Sequence, residues 1–319
     1  MYRWVIILHC VAVIHARHFR SDYTYYHELN GWMKLHQMPT TWDDARQRCT
    51  LEGSVLASPV NNELLQAMKI VIGQSRAKRG VFTGVSDIFS PGDFFSVEGI
   101  PIGKISADWA PSEPDNKKNE EHCIAMLPNG TIADVNCNEP YPYICFKQNT
   151  PNMPTPYHCG TVDPEYKLES RTGSCYKFHR IGRPWPGAFK TCVAEGGHLA
   201  IINSDTEAQV LKEMYAKNPD NIVKAKYPHV ASIGFNKWGE TSSYSWLTIH
   251  GQTLQEAGYE VWEPNTPNNA TPGEYCGSIY RSGKLNDMRC HEAIPFFCEK
   301  LPGSLIENEQ DSVTDINSN

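Results

Sequence analysis

Glu113-Pro114-Asp115-Asn116-Lys117-Lys118-Asn119-Glu120-Glu121-His122-Cys123, followed by Cys137 and Cys145, decides the fold because its pattern recurs. In the second half Glu263-Pro264-Asn265 is followed by Glu274, Cys276, Cys290 and Cys298. In each set the cysteines are 14 and then 8 residues apart, and the second set lies 153 residues after the first. The chain therefore carries two copies of one disulfide framework, each beside a cluster of oxygen-bearing side chains.

Working outward, the 319 residues fit two domains. With 40% hydrophobic residues and ordinary charge content, each can bury a modest core. A net charge of −7 offers no electrostatic case for nucleic acid or an anionic membrane surface. The start, Arg3 and then the apolar run Trp4 to Ile14, is too short for a membrane span and predicts a signal peptide over 1–16, ending near Ala16. Removing it takes Cys10 and leaves ten of eleven cysteines, the even number a secreted, fully bridged chain needs. The mature protein is then expected outside the cell. Residues 301–319 contain Glu307, Glu309, Asp311 and Asp315 but no Lys or Arg, and read as a solvated, disordered tail.

Each half opens with helix signals. Thr41 and Asp44 suit a cap ahead of Trp42, Ala45 and Cys49 on one face; Pro184 and Pro186 suit a first turn ahead of Ala188, Phe189 and Cys192. A second helix is predicted over Glu63–Ile72, and another after Ser204 and Glu207, which read as a capping box. Val81–Val85, Ala231–Phe235, Tyr143–Phe146 and Phe296–Glu299 read as strands. Pro151, Pro154 and Pro156 mark an extended linker over 148–158 that leaves domain orientation open, with domains over 22–147 and 159–300.

Connectivity of the cysteines does not follow from sequence alone. Repetition favours Cys49–Cys145 with Cys123–Cys137 and Cys192–Cys298 with Cys276–Cys290, leaving Cys159 and Cys175, which lack first-half counterparts, to pair with each other. An outer bridge closing about 100 residues would contribute roughly 4 to 5 kcal/mol on a chain-entropy argument.

Over about 130 residues in each half, the cysteines, the Trp109-Ala110-Pro111-Ser112-Glu113-Pro114-Asp115 segment and the terminal Cys298-Glu299-Lys300 resemble the C-type lectin-like domain. The resemblance implies an α+β fold in each half: two helices, short antiparallel sheets and a long ligand-binding loop, held by disulfides. Two such domains behind a signal peptide are similar to the immulectins, humoral lectins of insect haemolymph.

The resemblance implies Ca²⁺ as the cofactor, a hard cation taking six to eight oxygens. In the second domain it points to Glu263, Asn265, Glu274, Asn286 and Asp287 as metal ligands, with the Glu263–Pro264 peptide cis, as in the family. Glu263, Asn265, Glu274 and Asn286 would also bind the sugar, the carboxylates accepting and the amides donating hydrogen bonds. Glu-Pro-Asn is similar to family members that bind mannose-type sugars, which implies mannose, N-acetylglucosamine, glucose or fucose in domain two. The first domain departs from this. Glu113, Asp115, Glu121 and Asp134 remain as a partial metal set, but Asp115 and Ala133 stand where amides would donate. Domain one is therefore expected to be degenerate for simple sugars, or to read a different ligand. An auxiliary cation site at Asp87 is poorly supported, because Pro91 stands where a second acidic ligand is expected.

The rest of the chain argues for binding and against catalysis. The twelve histidines show no zinc spacing, the cysteines are taken by bridges, and there is no Gly-x-Ser-x-Gly elbow. The run Arg76-Ala77-Lys78-Arg79 reads as a solvated loop, with contact to lipopolysaccharide phosphates as the sharper idea. Asn129 and Asn269 head glycosylation sequons, and Pro272 weakens the second. The implied partners are microbial polysaccharides, lipopolysaccharide or mannan, and, through the resemblance to immulectins, haemocytes and humoral immune proteins. Affinity would come from multivalency, through a homo-oligomer or two engaged domains. The rival reading is a protein-binding module in which calcium is structural or absent.

Overall fold

A computed structural model of the chain describes residues 19–74, 79–150, 158–238 and 245–305. The signal-peptide reading, the linker prolines, Arg76 to Lys78 and most of the acidic tail lie outside the described residues.

Domain one runs β1 (Thr24–Tyr26), β2 (Gly31–Thr40), α1 (Trp42–Leu51), β3 (Val55–Leu56), α2 (Asn62–Gly73), β4 (Val81–Ser86), β5 (Phe95–Ser96), β6 (Glu121–Met126), β7 (Ile132–Asn136) and β8 (Tyr141–Gln148). Domain two repeats the plan as β9 (Lys167–Glu169), β10 (Ser174–Arg183), α3 (Trp185–Ala194), β11 (His198–Leu199), α4 (Asp205–Ala216), β12 (Val230–Trp238), β13 (Ser245–Thr248), α5 (Leu254–Ala257), β14 (Glu274–Tyr280), β15 (Leu285–Arg289) and β16 (Ile294–Lys300). The main strand orders, β1-β2-β8-β4-β6-β7 and β9-β10-β16-β12-β14-β15, superpose element for element. The sheets are not wholly antiparallel as expected: β4 pairs β8, and β12 pairs β16, in parallel. These partners are separated by the long loop and a hairpin, so nothing forces them to run in opposite directions.

The helices form where the caps indicate. Thr41 accepts from the Asp44 N–H at 3.4 Å, and Trp42, Ala45 and Cys49 make the buried face of α1. Trp42 Nε1 donates to the Thr83 carbonyl at 2.8 Å, and its counterpart Trp185 donates to the Ile233 carbonyl at 2.9 Å. Each indole thus ties the first helix to the strand that leads into the ligand loop. The capping box expected in α4 is only half present. Ser204 accepts from the Glu207 N–H, but the Glu207 side chain turns inward to the Asn203 N–H and the Tyr176 hydroxyl. The short α5, which periodicity did not reveal, is the element with the complete box, between Thr253 and Glu256.

Four disulfides pair as repetition favours, Cys49–Cys145, Cys123–Cys137, Cys192–Cys298 and Cys276–Cys290, and the two cysteines without counterparts pair with each other as Cys159–Cys175. The long bridges fasten α1 and α3 to the last strand of each domain, and the short ones tie β6 and β14 to the segments after β7 and β15. The domains also touch. Helix α1 packs on α3, Lys190 Nζ lies 3.1 Å from Asp44 Oδ2, and Arg20 donates to the Ala194 carbonyl at 2.8 Å. The orientation left open by the linker composition is thus set by contacts between equivalent helices.

Candidate functional site

Each ligand loop leaves the core at a tryptophan that bridges the penultimate strand: Trp109 beside Ile132 and Trp262 beside Leu285. The following residue then donates to that strand, Ala110 N to the Ile132 carbonyl and Glu263 N to the Leu285 carbonyl. Ala110 and Glu263 are therefore equivalent. The cis peptides fall at Glu113–Pro114 and at Thr266–Pro267, not at Glu263–Pro264.

A buried aspartate clamps each loop from below. Asp134 accepts from the N–H groups of Asp115 and Asn116 at 3.2 and 2.8 Å. Asp287 accepts from the N–H groups of Asn268 and Asn269 at 3.1 and 2.7 Å. The structural counterpart of Glu113-Pro114-Asp115 is consequently Thr266-Pro267-Asn268. This corrects the register read from sequence, where Glu263-Pro264-Asn265 took that place. Glu263 instead accepts from the Ser282 hydroxyl at 2.5 Å, and the Asn265 carbonyl accepts from the Asn268 side chain at 2.6 Å. The signal was available in the sequence. The 153-residue offset of the cysteines carries Glu113 onto Thr266, and the spacing from each tryptophan agrees.

The two sites then differ in charge. In domain one, Glu113, Asp115 and Asp134 bring carboxylate oxygens within 4.8 Å of one another. Glu121 opens β6 at the end of the loop, its Oε2 and Asp115 Oδ1 both accepting from the Lys117 N–H at 2.7 and 3.1 Å. One oxygen of Glu113 is buried without a hydrogen-bond partner. Burial pushes the Glu113 carboxyl up to about 7, and neighbouring Asp134 and Asp115 add to the rise. Burial likewise raises Glu121, with Asp115 and Asp134 contributing, against a lowering pull from the Lys117 N–H. An orphaned buried oxygen within a group of mutually repelling carboxylates fits a hard divalent cation.

Domain two offers Asn268, Glu274, Asn286 and Asp287, with a hydroxyl at Thr266. The Thr266 proton is donated to the Glu263 and Leu285 carbonyls at 2.7 and 3.3 Å. Asn268 Oδ1 accepts from the Ala270 N–H at 2.7 Å. The buried Asn286 gives its amide protons to the Ser278 hydroxyl and the Asp287 carbonyl at 3.1 and 2.6 Å. These side chains fit a cation less well: only two are carboxylates, against four in domain one, and the Asn268 side-chain oxygen already accepts from the loop backbone.

The remaining candidates resolve simply. Asp87 is buried and engaged by His122 Nδ1 at 3.0 Å and the Gly92 N–H at 2.6 Å, so it supports a turn. The Asn129 side chain accepts from the Thr131 N–H and hydroxyl at 3.0 and 2.8 Å. Asn269 accepts from the Gly273 and Glu274 N–H groups, both at 3.1 Å.

The repeated cysteine frame and twin loops agree with comparison to known proteins: the model of the lectin C-type domain matches twice, over residues 38–147 and 181–300. The chain belongs to the C-type lectin family. It is 34% identical over 153 residues to a hemolymph lipopolysaccharide-binding protein of Periplaneta americana, a match covering 47% of this chain and 57% of that one. It is 24% identical over 273 residues to human C-type mannose receptor 2, covering 83% of this chain but 17% of the receptor. The matches thus span little more than half the length of these relatives at most. Among solved structures, the mouse scavenger receptor C-type lectin carbohydrate-recognition domain is 26% identical with a TM-score of 0.36, covering 44% of this chain and 98% of that domain. No helix among the described residues is long and apolar enough to cross a membrane.

Proposed function

We propose that this lectin binds microbial surface glycans, lipopolysaccharide among them, in a calcium-dependent way, with the cation held in domain one by Glu113, Asp115, Glu121 and Asp134. The observation that carries this is the buried, unpartnered oxygen of Glu113 within a group of carboxylates. When bound, Ca²⁺ would offset part of the charge of that group and offer open positions to two neighbouring sugar hydroxyls. The protein does the rest. Asp134 fixes the loop backbone, and the rim carboxylates accept the hydroxyl protons, orienting a sugar with no bond made or broken. The insect relative named for lipopolysaccharide binding supports the ligand class. Five disulfides fit an oxidising compartment and hence a secreted protein.

The mannose assignment to domain two depended on Glu263 and Asn265, which do not flank the cis bond. With Thr266 in place of a carboxylate, domain two is the weaker cation site, and the protein-binding reading applies best there. The test is retention on immobilised lipopolysaccharide in Ca²⁺. Wild type is expected to be retained and released by EDTA, and Glu113→Gln/Asp134→Asn to pass through. Retention that survives both EDTA and the double substitution sinks the reading.

A further inference from the structure

Beside α1 in domain one, β4 stops at Ser86 and the chain turns back sharply to the two-residue β5, where domain two continues β12 to Trp238 and pairs it with the longer β13. Asp87 builds this turn. Its carbonyl accepts from the Ser90 N–H at 2.9 Å, and its side chain holds Gly92 and His122. The tip so fixed carries Phe89, 91% exposed and the most exposed large apolar side chain of the described residues. Phe95 and Val97 are also exposed, and with Phe89 they border a groove of about 320 Å³ whose wall includes Trp42. A rigid, H-bonded turn presenting a bare phenyl ring loses little freedom on binding, so its apolar area is available as association energy.

The geometry points to self-association of the chain through this face. A knob (Phe89) beside a hole of sufficient size on one surface is the arrangement a two-fold interface requires, because each copy must supply both parts. The rim repeats the same logic in charge. Arg46 and Asp93 both line the groove, and a two-fold axis places Arg46 of one copy against Asp93 of the other. Arg46 is held on the surface by an exposed pair with Asp43 at 3.1 Å and lies 5.9 Å from the centre of the Trp42 ring, contacts weak enough for it to be redirected at modest cost. An anionic lipid or lipopolysaccharide fits the face less well, since the one arginine lining the groove is paired with Asp43 and shares the rim with Asp93. A dimer would double the number of ligand loops and raise avidity for a repetitive surface without any change at the loops.

Sedimentation equilibrium of the full secreted chain across the micromolar range tests this, performed in EDTA so that the result is independent of the cation reading. Wild type is expected to dimerise, and Phe89→Ser to weaken the dimer at least about tenfold, as loss of a central aromatic anchor does. Arg46→Glu alone and Asp93→Arg alone each set like charges against each other and are expected to be monomeric. Their equimolar mixture restores both pairs and is expected to form a heterodimer. A monomeric wild type, a dimer indifferent to Phe89→Ser, or a mixture that stays monomeric overturns the proposal. Phe89-dependent flotation of a monomeric wild type with phosphatidylcholine vesicles would reassign the face to lipid.

Discussion

The two ligand loops share a backbone and differ in chemistry. Both leave the core at a tryptophan, both place a cis proline at the equivalent position, and both are clamped by a buried aspartate accepting from two successive N–H groups. Yet domain one surrounds that clamp with Glu113, Asp115 and Glu121, and domain two with Thr266, Asn268 and Glu274. Loop shape therefore depends on contacts from Asp134 or Asp287 to the backbone, which leave the side chains at 113 or 266 and at 115 or 268 free to vary. The scaffold can be kept while the ligand set changes, so a site inferred from the fold alone would be assigned equally to both domains.

The largest expected effect tests the charge side of this comparison. Ca²⁺ affinity in such loops rises with carboxylate count and rigidity. Titration followed by calorimetry or Tb³⁺ luminescence should show a tighter site lost in Glu113→Gln/Asp134→Asn, a fall of roughly a thousandfold or more for removing two charged ligands. The weaker, domain-two signal should persist. If the tighter site remains, the cation is held elsewhere and the contrast between the loops has been drawn the wrong way round.

The cores differ in the same manner. In domain one Met33 lies opposite Phe146, with Leu64 from α2 buried in the same core. The corresponding residues in domain two are Tyr176, Glu299 and Glu207. Glu207 is fully buried, hydrogen-bonded to the Tyr176 hydroxyl and the Asn203 N–H, with Glu299 and His198 nearby. Burial, with Glu299 adding to it, pushes the Glu207 carboxyl up to about 7. Burial also raises Glu299. A raised folded-state value means that the stabilisation is complete below the ordinary carboxyl range and is lost as pH rises through about 7. Domain two should therefore lose up to about 3 kcal/mol between pH 5 and 8. Glu195 acts oppositely, since it is lowered to about 2, against its burial, by His179 and then Lys177, so its stabilisation is present above the ordinary carboxyl range and is lost as pH falls through that range towards about 2. In Glu207→Gln the calorimetric transition of domain two should become much flatter over that interval while that of domain one is unchanged. An equal pH slope in both proteins would show that Glu207 is not the responsible group.

Sequence alone resolved the frame better than the site. Cysteine positions are one-dimensional marks with rigid consequences, so their repetition led to four bridges and the two unmatched cysteines to the fifth, and the Thr41 and Ser204 caps located α1 and α4 because capping is local. The domain-two ligands were misplaced because Glu263-Pro264-Asn265 imitates the expected tripeptide three residues too early. The cysteine offset and the tryptophan spacing already separate the imitation from the real position, but a tripeptide match outweighs them until the contacts with Leu285 and Asp287, made between distant segments, are seen. Glu207 was misread for a related reason: Ser-x-x-Glu suits a capping box, but Tyr176 and the Asn203 N–H compete for the carboxylate from the tertiary fold.

The smallest expected effect is the most direct attempt to convert one loop into the other. Thr266→Glu in the Glu113→Gln/Asp134→Asn background leaves domain one silent and adds a carboxylate where domain one has its own. The substitution gives up the Thr266 hydroxyl bonds to the Glu263 and Leu285 carbonyls, a loss of about 1 kcal/mol in loop stability. Against this, a third carboxylate joins Glu274 and Asp287, and Ca²⁺ affinity in domain two should rise about tenfold. The gain is bounded because Asn268 remains committed to the loop backbone and the buried Asn286 is held by Ser278 of β14 and the Asp287 carbonyl. No rise would mean that these engaged amides, and not the missing charge, limit the second site. A rise large enough to match wild-type domain one would mean that position 266 alone accounts for the difference.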